Sequence, residues 1–158
     1  MPIAVAPAQS GFDRWEELHA LLVTSFAYMA DRIDPPSSLL RMTARVLAEK
    51  AQSEMLVLAT DSDRIVGCLF LRRQPEALYA GKLAVDGAFR GMGIARRLFA
   101  FAEEEARRAG LPFLELQTRI ELTENHETFA HFGFEKTSET AHAGYDRPTS
   151  ITMRKRVS

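Results

Sequence analysis

The chain has a single cysteine, Cys68, among 158 residues. No internal disulfide can form, which excludes a small stapled secreted scaffold. Cys68 lies inside the apolar run RIVGCLFL, where a buried structural thiol is expected; a nucleophilic role would require a histidine nearby. No apolar run approaches the ~18 residues of a membrane-spanning helix. The opening stretch MPIAVAPAQSGFDRW has neither a basic leader nor a long apolar core, so it does not read as a signal peptide, and a cytoplasmic protein without a membrane partner is expected. An excess of one charge is also missing, since 20 Lys and Arg stand against 21 Asp and Glu. There is thus no global pull toward nucleic acid, and basic residues do not interleave with aromatics in a stripe. Metal-ligand spacing is absent too: His126 and His131 diverge by about 140° around a helix, His19 and His142 are remote in sequence, and no metal is expected.

What is present suits one globular domain over residues 1–158, with 46% hydrophobic and 26% charged residues. IAVAPA is short and β-like. Trp15, Leu18, Leu22 and Phe26 recur at three- and four-residue spacing and predict a helix over 12–28, which DRIDPPSS interrupts. Leu39, Thr43, Val46 and Leu47 predict a second helix over 38–51. EMLVLAT, RIVGCLFLRR and ALYAGKLAV read as strands, and the short links DSD and QPE make them an antiparallel meander. Ile94, Leu98, Phe101, Ala102 and Ala106 form the apolar stripe of a helix over 93–109, which Gly110 and Pro112 end. PFLELQT is a strand and TENHETFAHF a short helix, with Thr123 expected as its N-cap. EKTSETA and SITMRK are closing strands. The resulting order, β α α β β β α β α β β, predicts an α/β domain on a mixed, mostly antiparallel sheet flanked by helices.

The stretch VDGAFRGMGIARRLF, residues 85–99, places Gly91 and Gly93 between arginines at the entrance of an amphipathic helix. Unpaired amides in a first helical turn and the positive end of the helix dipole favour a phosphate, and glycines let backbone approach it closely. The donors expected are the amides of about Gly91 to Arg96, with Arg90, Arg96 or Arg97 adding charge. A P-loop requires G-x-x-x-x-G-K-[ST], which the chain lacks. A dinucleotide fingerprint requires a third glycine, where Arg96 stands, although Glu115 lies about twenty residues on, where an acidic ribose ligand would be. The better match is Arg90-Gly91-Met92-Gly93-Ile94-Ala95 to R/Q-x-x-G-x-G/A, with LAV shortly before it. ENHETFAHFGF, ending in Gly133-Phe134, supplies a second motif.

On these motifs and on the element order, the chain resembles the GNAT superfamily of acyl-CoA-dependent N-acetyltransferases over nearly its whole length. The resemblance implies acetyl-CoA as acyl donor, without a metal, and direct attack of an amine acceptor on the thioester. It places Arg90, Gly91, Met92, Gly93, Ile94, Ala95 and Arg96 on the pyrophosphate. Leu83, Ala84 and Val85 would lie along the pantetheine arm, with the Val85 amide as oxyanion donor. The family's strand glutamate corresponds to Tyr79; Glu76 further upstream and Glu115 on the next strand are the carboxylate candidates for a catalytic base. The family's general-acid tyrosine corresponds to Phe129, which has no proton to give and is expected to pack on the cofactor or the core; Tyr145 or water could replace it. Asn125 is carried over as a CoA contact, with Leu122 at the more usual position.

The segments FAYMADRIDPPSS and AHAGYDRPTS are expected to shape the acceptor pocket, through Phe26, Tyr28, Asp31, Asp34 and Tyr145. Its acidic residues would suit a cationic amine. The acceptor is a small-molecule or peptide amine, and members of the family are often homodimers. Two alternatives stay open: an acyl-CoA-binding module without turnover, and a nicotinamide-nucleotide-binding protein resting on G-x-G and Glu115.

Overall fold

Successive side chains of a strand point to opposite faces of the sheet, and because each face receives its own helices the central strands are buried in continuous runs. The structure, a computed structural model, describes residues 3–158 apart from the side chain of Leu40. Its strands are β1 (Ile3–Pro7), β2 (Met55–Asp61), β3 (Arg64–Arg73), β4 (Ala77–Val85), β5 (Phe113–Arg119), β6 (Glu135–Thr140) and β7 (Ser150–Arg156). The helices are α1 (Trp15–Phe26), α2 (Ala44–Lys50), α3 (Ile94–Arg108) and α4 (Thr123–His131). All the strands join one sheet in the order β1-β2-β3-β4-β5-β7-β6. β4 and β5 run parallel, and the other neighbours are antiparallel.

The expected meander forms. Asp61 pairs with Arg64, and the residues between them, Ser62 and Asp63, take φ values of 48° and 76°. Two left-handed central residues make the tight turn whose twist matches the flanking strands. On one face, Leu98, Ala102 and Ala106 of α3 pack with Val57, Leu69 and Leu114. On the other, Leu18 and Leu22 of α1 and Leu47 of α2 cover Leu56, Leu58, Cys68 and Phe70. Cys68 is fully buried and burial pushes its thiol up to about 12, so it is structural and not a nucleophile.

Side-chain capping redraws the helix ends. The helix expected over 38–51 divides into a 3₁₀ turn at Ser38–Arg41 and α2. Ser37 caps the first through the Leu39 amide, and the Thr43 hydroxyl accepts from the Val46 amide at 3.2 Å. Thr43 is therefore an N-cap, not part of the apolar stripe. α4 begins one residue earlier than expected, since Leu122 holds the N-cap position and Thr123 is already helical. Leu122 is 1% exposed, so core packing fixes that end. Among the described residues, no helix is long and apolar enough to cross a membrane.

Gly67 seats the N-terminus of α3. A Cβ there would lie 3.0 Å from Ile94 Cγ2 and 3.2 Å from the Ala84 carbonyl. Gly67→Val is expected to cost about 1–3 kcal/mol through overpacking, read as a lower urea midpoint with an unchanged slope.

Candidate active site

The loop between β4 and α3 is held open by backbone conformation. Gly91 and Gly93 have φ values of +80° and +78°, a region that side chains with a Cβ disfavour. An added Cβ would meet no atom within 4 Å at either position. Conformation rather than crowding therefore requires glycine here. Gly93 is the N-cap of α3 and offers no side-chain cap. The first intrahelical bond runs from the Arg97 amide to the Gly93 carbonyl at 3.1 Å, which leaves the amides of Ile94, Ala95 and Arg96 without intrahelical acceptors. Ile94 is 1% exposed and anchors the turn, while Met92 is 58% exposed.

The arginines divide. Arg97 donates to the Ile3 carbonyl and so ties α3 to β1. Arg96 lies over the Phe132 ring at 5.3 Å. Arg90 is exposed beside the glycines. Ahead of the loop, the Asp86 amide bonds the Val66 carbonyl at 2.8 Å and its carboxylate accepts from the Ala88 amide at 2.9 Å.

Next to this loop the sheet opens. β4 and β5 pair only through Ala77–Phe113, Leu78–Leu114 and Tyr79–Glu115. Beyond Tyr79 the β4 edge facing β5 has no strand partner. On its other edge β4 carries a bulge: Cys68 pairs with Ala84 and Phe70 with Gly81, so Lys82 and Leu83 oppose Leu69 alone. Lys82 takes φ +54°. The extra residue puts Lys82 on the α2 side and resets the alternation, so that Leu83 and Val85 face α3 while Ala84 packs under α1. Because the Asp86 amide points at β3 and backbone groups alternate, the amides of Val85 and Leu83 point to the open edge.

A cleft of about 810 Å³ fills the opening, and Phe26, Tyr28, Leu83, Asn125, Phe129 and Tyr145 all line it. The structure thus brings together residues expected on both the donor and the acceptor side. Asn125 Nδ2 donates to the Tyr28 hydroxyl at 3.2 Å across the cleft. Phe129 packs edge-on to Phe99 with centroids 6.1 Å apart. Tyr145 donates to Asp34 at 2.6 Å, and that bond holds its phenol above the usual range.

Other expected residues lie elsewhere. Glu115 is buried in an ion pair with Arg154, Nε to Oε1 2.9 Å. It lines a separate hollow of about 610 Å³ with Phe113, Gly133 and Arg154, one that shares no lining residue with the cleft. Val85 and Ala84 do not line the cleft; Ala84 is buried, and the Val85 carbonyl accepts from the Ser25 hydroxyl at 3.3 Å. Asp31 is exposed and outside the lining. Asp34 is engaged by Tyr145 and by Arg147 at 3.0 Å. An acidic acceptor pocket is therefore not what forms.

Sequence reading missed Arg41, Lys50, Arg72, Lys82 and Arg119 in the lining. Tyr79 stands at the fork of β4 and β5, its phenol pushed up by burial, with the Arg72 guanidinium 4.7 Å from its ring centroid. No sequence signal marks the bulge that brings Lys82 inward.

An α/β sheet forked between two parallel strands, with an uncapped helix entered through two glycines beside the fork, defines the architecture of the domain. The chain belongs to the acetyltransferase (GNAT) family, whose model matches residues 15–134. Solved structures agree on the fold. A GNAT family acetyltransferase from Elizabethkingia anophelis with acetyl-CoA bound is 19% identical, with TM-score 0.70 over 98% of this chain and 97% of that one. An acetyltransferase of the GNAT family from Staphylococcus aureus Mu50 is 14% identical, with TM-score 0.76 over 99% and 100%. The ribosomal-protein-S18-alanine N-acetyltransferase from Escherichia coli is 14% identical, with TM-score 0.68 over 99% and 95%. A search of curated proteins gives no significant match.

Proposed function

We propose that the chain transfers an acetyl group from acetyl-CoA to an amine by direct attack of the amine on the thioester. The observation that carries this reading is the adjacency of the uncapped α3 turn, the open β4 edge and one continuous cleft. The backbone from Gly91 to Gly93 and the amides of Ile94, Ala95 and Arg96 receive the pyrophosphate, with Arg90 and Arg96 adding charge. The edge Leu83–Val85 pairs with the amide-bearing pantetheine arm. Leu83 and Val85 both present amides there, and Leu83 is the one that reaches the cleft, so we assign the developing negative charge on the thioester oxygen to the Leu83 amide. Asn125 and Phe129 form the wall on the α4 side.

The departing sulfur needs a proton source. Phe129 has none, and the Tyr145 proton is committed to Asp34. Tyr28 accepts from Asn125, so its own proton stays available, and we assign it as the general acid. Glu115 is held by Arg154 and is not carried forward as the base.

A nicotinamide nucleotide is not supported. The sheet is not doubly wound, since β4–β5 is its one parallel pair among the described residues, and Glu115 lies away from the loop. Calorimetric titration with acetyl-CoA, with NAD as control, tests the donor site. Micromolar acetyl-CoA binding without NAD binding is expected, and the reverse would overturn the reading.

A further inference from the structure

The cleft carries a surplus of positive charge. Arg41, Lys50, Arg72, Lys82 and Arg119 line it, and no aspartate or glutamate does so among the described residues. These side chains converge from the 3₁₀ turn at Ser38–Arg41, α2, β3, β4 and β5. Two of them are engaged by other groups. Lys50 bonds Glu54 at 2.8 Å. Arg119 donates to the Pro35 carbonyl at 2.6 Å and the Pro36 carbonyl at 3.1 Å, with Asp34 and Glu121 close enough to act on its charge.

No carboxylate pairs with the other three among the described residues. Arg72 lies over the Tyr79 ring. The Lys82 ammonium donates only to the Ser38 hydroxyl, at 3.2 Å. Arg41 is exposed at the rim. Burial foremost, and then the nearby Lys50, pull the Lys82 amine below the ordinary lysine range, against the opposing effect of the Glu54 carboxylate. The donor's pyrophosphate does not account for this surplus, because Arg90, Arg96 and the α3 amides lie outside this lining.

We infer that the acceptor is a small amine that also carries a carboxylate, received by Arg72 and Lys82 with Arg41 at the rim. This rests on the transferase reading above. An ammonium group with no anion is repelled by such a wall, whereas a carboxylate matches the guanidinium fork of Arg72 and the point charge of Lys82. The same positive field favours the neutral form of the acceptor amine. A lysine-like amine of pKa ~10.4 is neutral only about once in 2,500 molecules at pH 7, so this field does part of the work of the carboxylate base that the cleft lacks. In the transfer, the amine nitrogen forms the C–N bond as the C–S bond breaks. Sulfur leaves with the bonding pair and takes up a proton, nitrogen loses one, and the products are an N-acetyl amino acid and a free thiol.

The test compares thiol release from acetyl-CoA with matched acceptors: β-alanine and L-glutamate against β-alaninamide, putrescine and spermidine. The acids are expected to exceed the amide and the polyamines in kcat/KM by about tenfold or more, the size of one lost charge-assisted hydrogen bond. Arg72→Gln and Lys82→Met should each raise the acceptor KM by a similar factor and leave the acetyl-CoA KM unchanged; Lys82→Arg should keep most of the effect. Equal or better use of the amide or the polyamines overturns the inference. A second arm needs no turnover: glutarate should bind the CoA-loaded protein by calorimetry and lose that binding in the Arg72→Gln/Lys82→Met double variant. Glutarate that fails to bind, or binds both proteins alike, also overturns it. Absence of thiol release from every amine contradicts the transferase reading alone, and the glutarate titration then decides the charge reading.

Discussion

Gly93→Val is expected to weaken acetyl-CoA binding by about a hundredfold or more while the protein still folds. Gly93 sits at φ +78°, where a β-branched side chain costs roughly 1–2 kcal/mol. The cheapest relief is rotation of the loop, which turns the amides of Ile94, Ala95 and Arg96 away from a common point. Each charge-assisted bond lost is worth about 1.5–3 kcal/mol, and two of them reach the hundredfold level. Nothing lies within 4 Å of the added Cβ, so the loss comes from backbone redirection and not from a clash inside the protein. Gly11 is the matched control. It has φ +87° and open space around its Cβ position, but it lies in the turn before α1. Gly11→Val should cost similar stability and leave acetyl-CoA binding intact. Equal binding by the Gly93 variant and the unaltered protein would remove the pyrophosphate assignment.

Tyr28→Phe is expected to lower kcat by about a hundredfold, the lower end of the ~10²–10⁴ range for a positioned general acid. The KM for acetyl-CoA should stay unchanged, because the ring and its packing remain. An aryl thioester of acetate, whose more acidic thiol leaves without help, should react at the same rate with both proteins. A merely structural role for Tyr28 would depress both donors equally. Tyr145→Phe should have the smaller effect on kcat, since its hydroxyl is spent on Asp34. The reverse ranking would transfer the acid role to Tyr145.

These assignments show how far residue patterns reach. The β2–β3–β4 meander, α3 and the glycine loop were legible because hydrophobic period, turn residues and helix stops agree there, as at Ser62 and Asp63 or at Gly110. Capping was less legible. Thr43 sits where an apolar stripe would continue, and only the 3.2 Å bond to the Val46 amide shows it starting a helix. The donor side of the site was read from local sequence because Arg90 to Arg96 are contiguous. The cationic lining of the cleft was not, since it depends on Arg41, Lys50, Arg72, Lys82 and Arg119 converging across the sheet. Asp31 and Asp34 looked like pocket acids in a loop, yet the fold commits Asp34 to Tyr145 and Arg147 and leaves Asp31 outside. Glu115 was nominated by its place after the helix. Its cross-strand partner Arg154, thirty-nine residues on, decides what it does.

The most direct measurement follows free thiol and acetylated amine together, by thiol titration and mass spectrometry, with acetyl-CoA and the acceptor panel. Thiol and N-acetyl product appearing in equal amounts, and both lost in Gly93→Val, is the result predicted for an acetyltransferase. Saturable acetyl-CoA binding with no thiol released from any amine would contradict it and leave an acyl-CoA-binding domain without turnover.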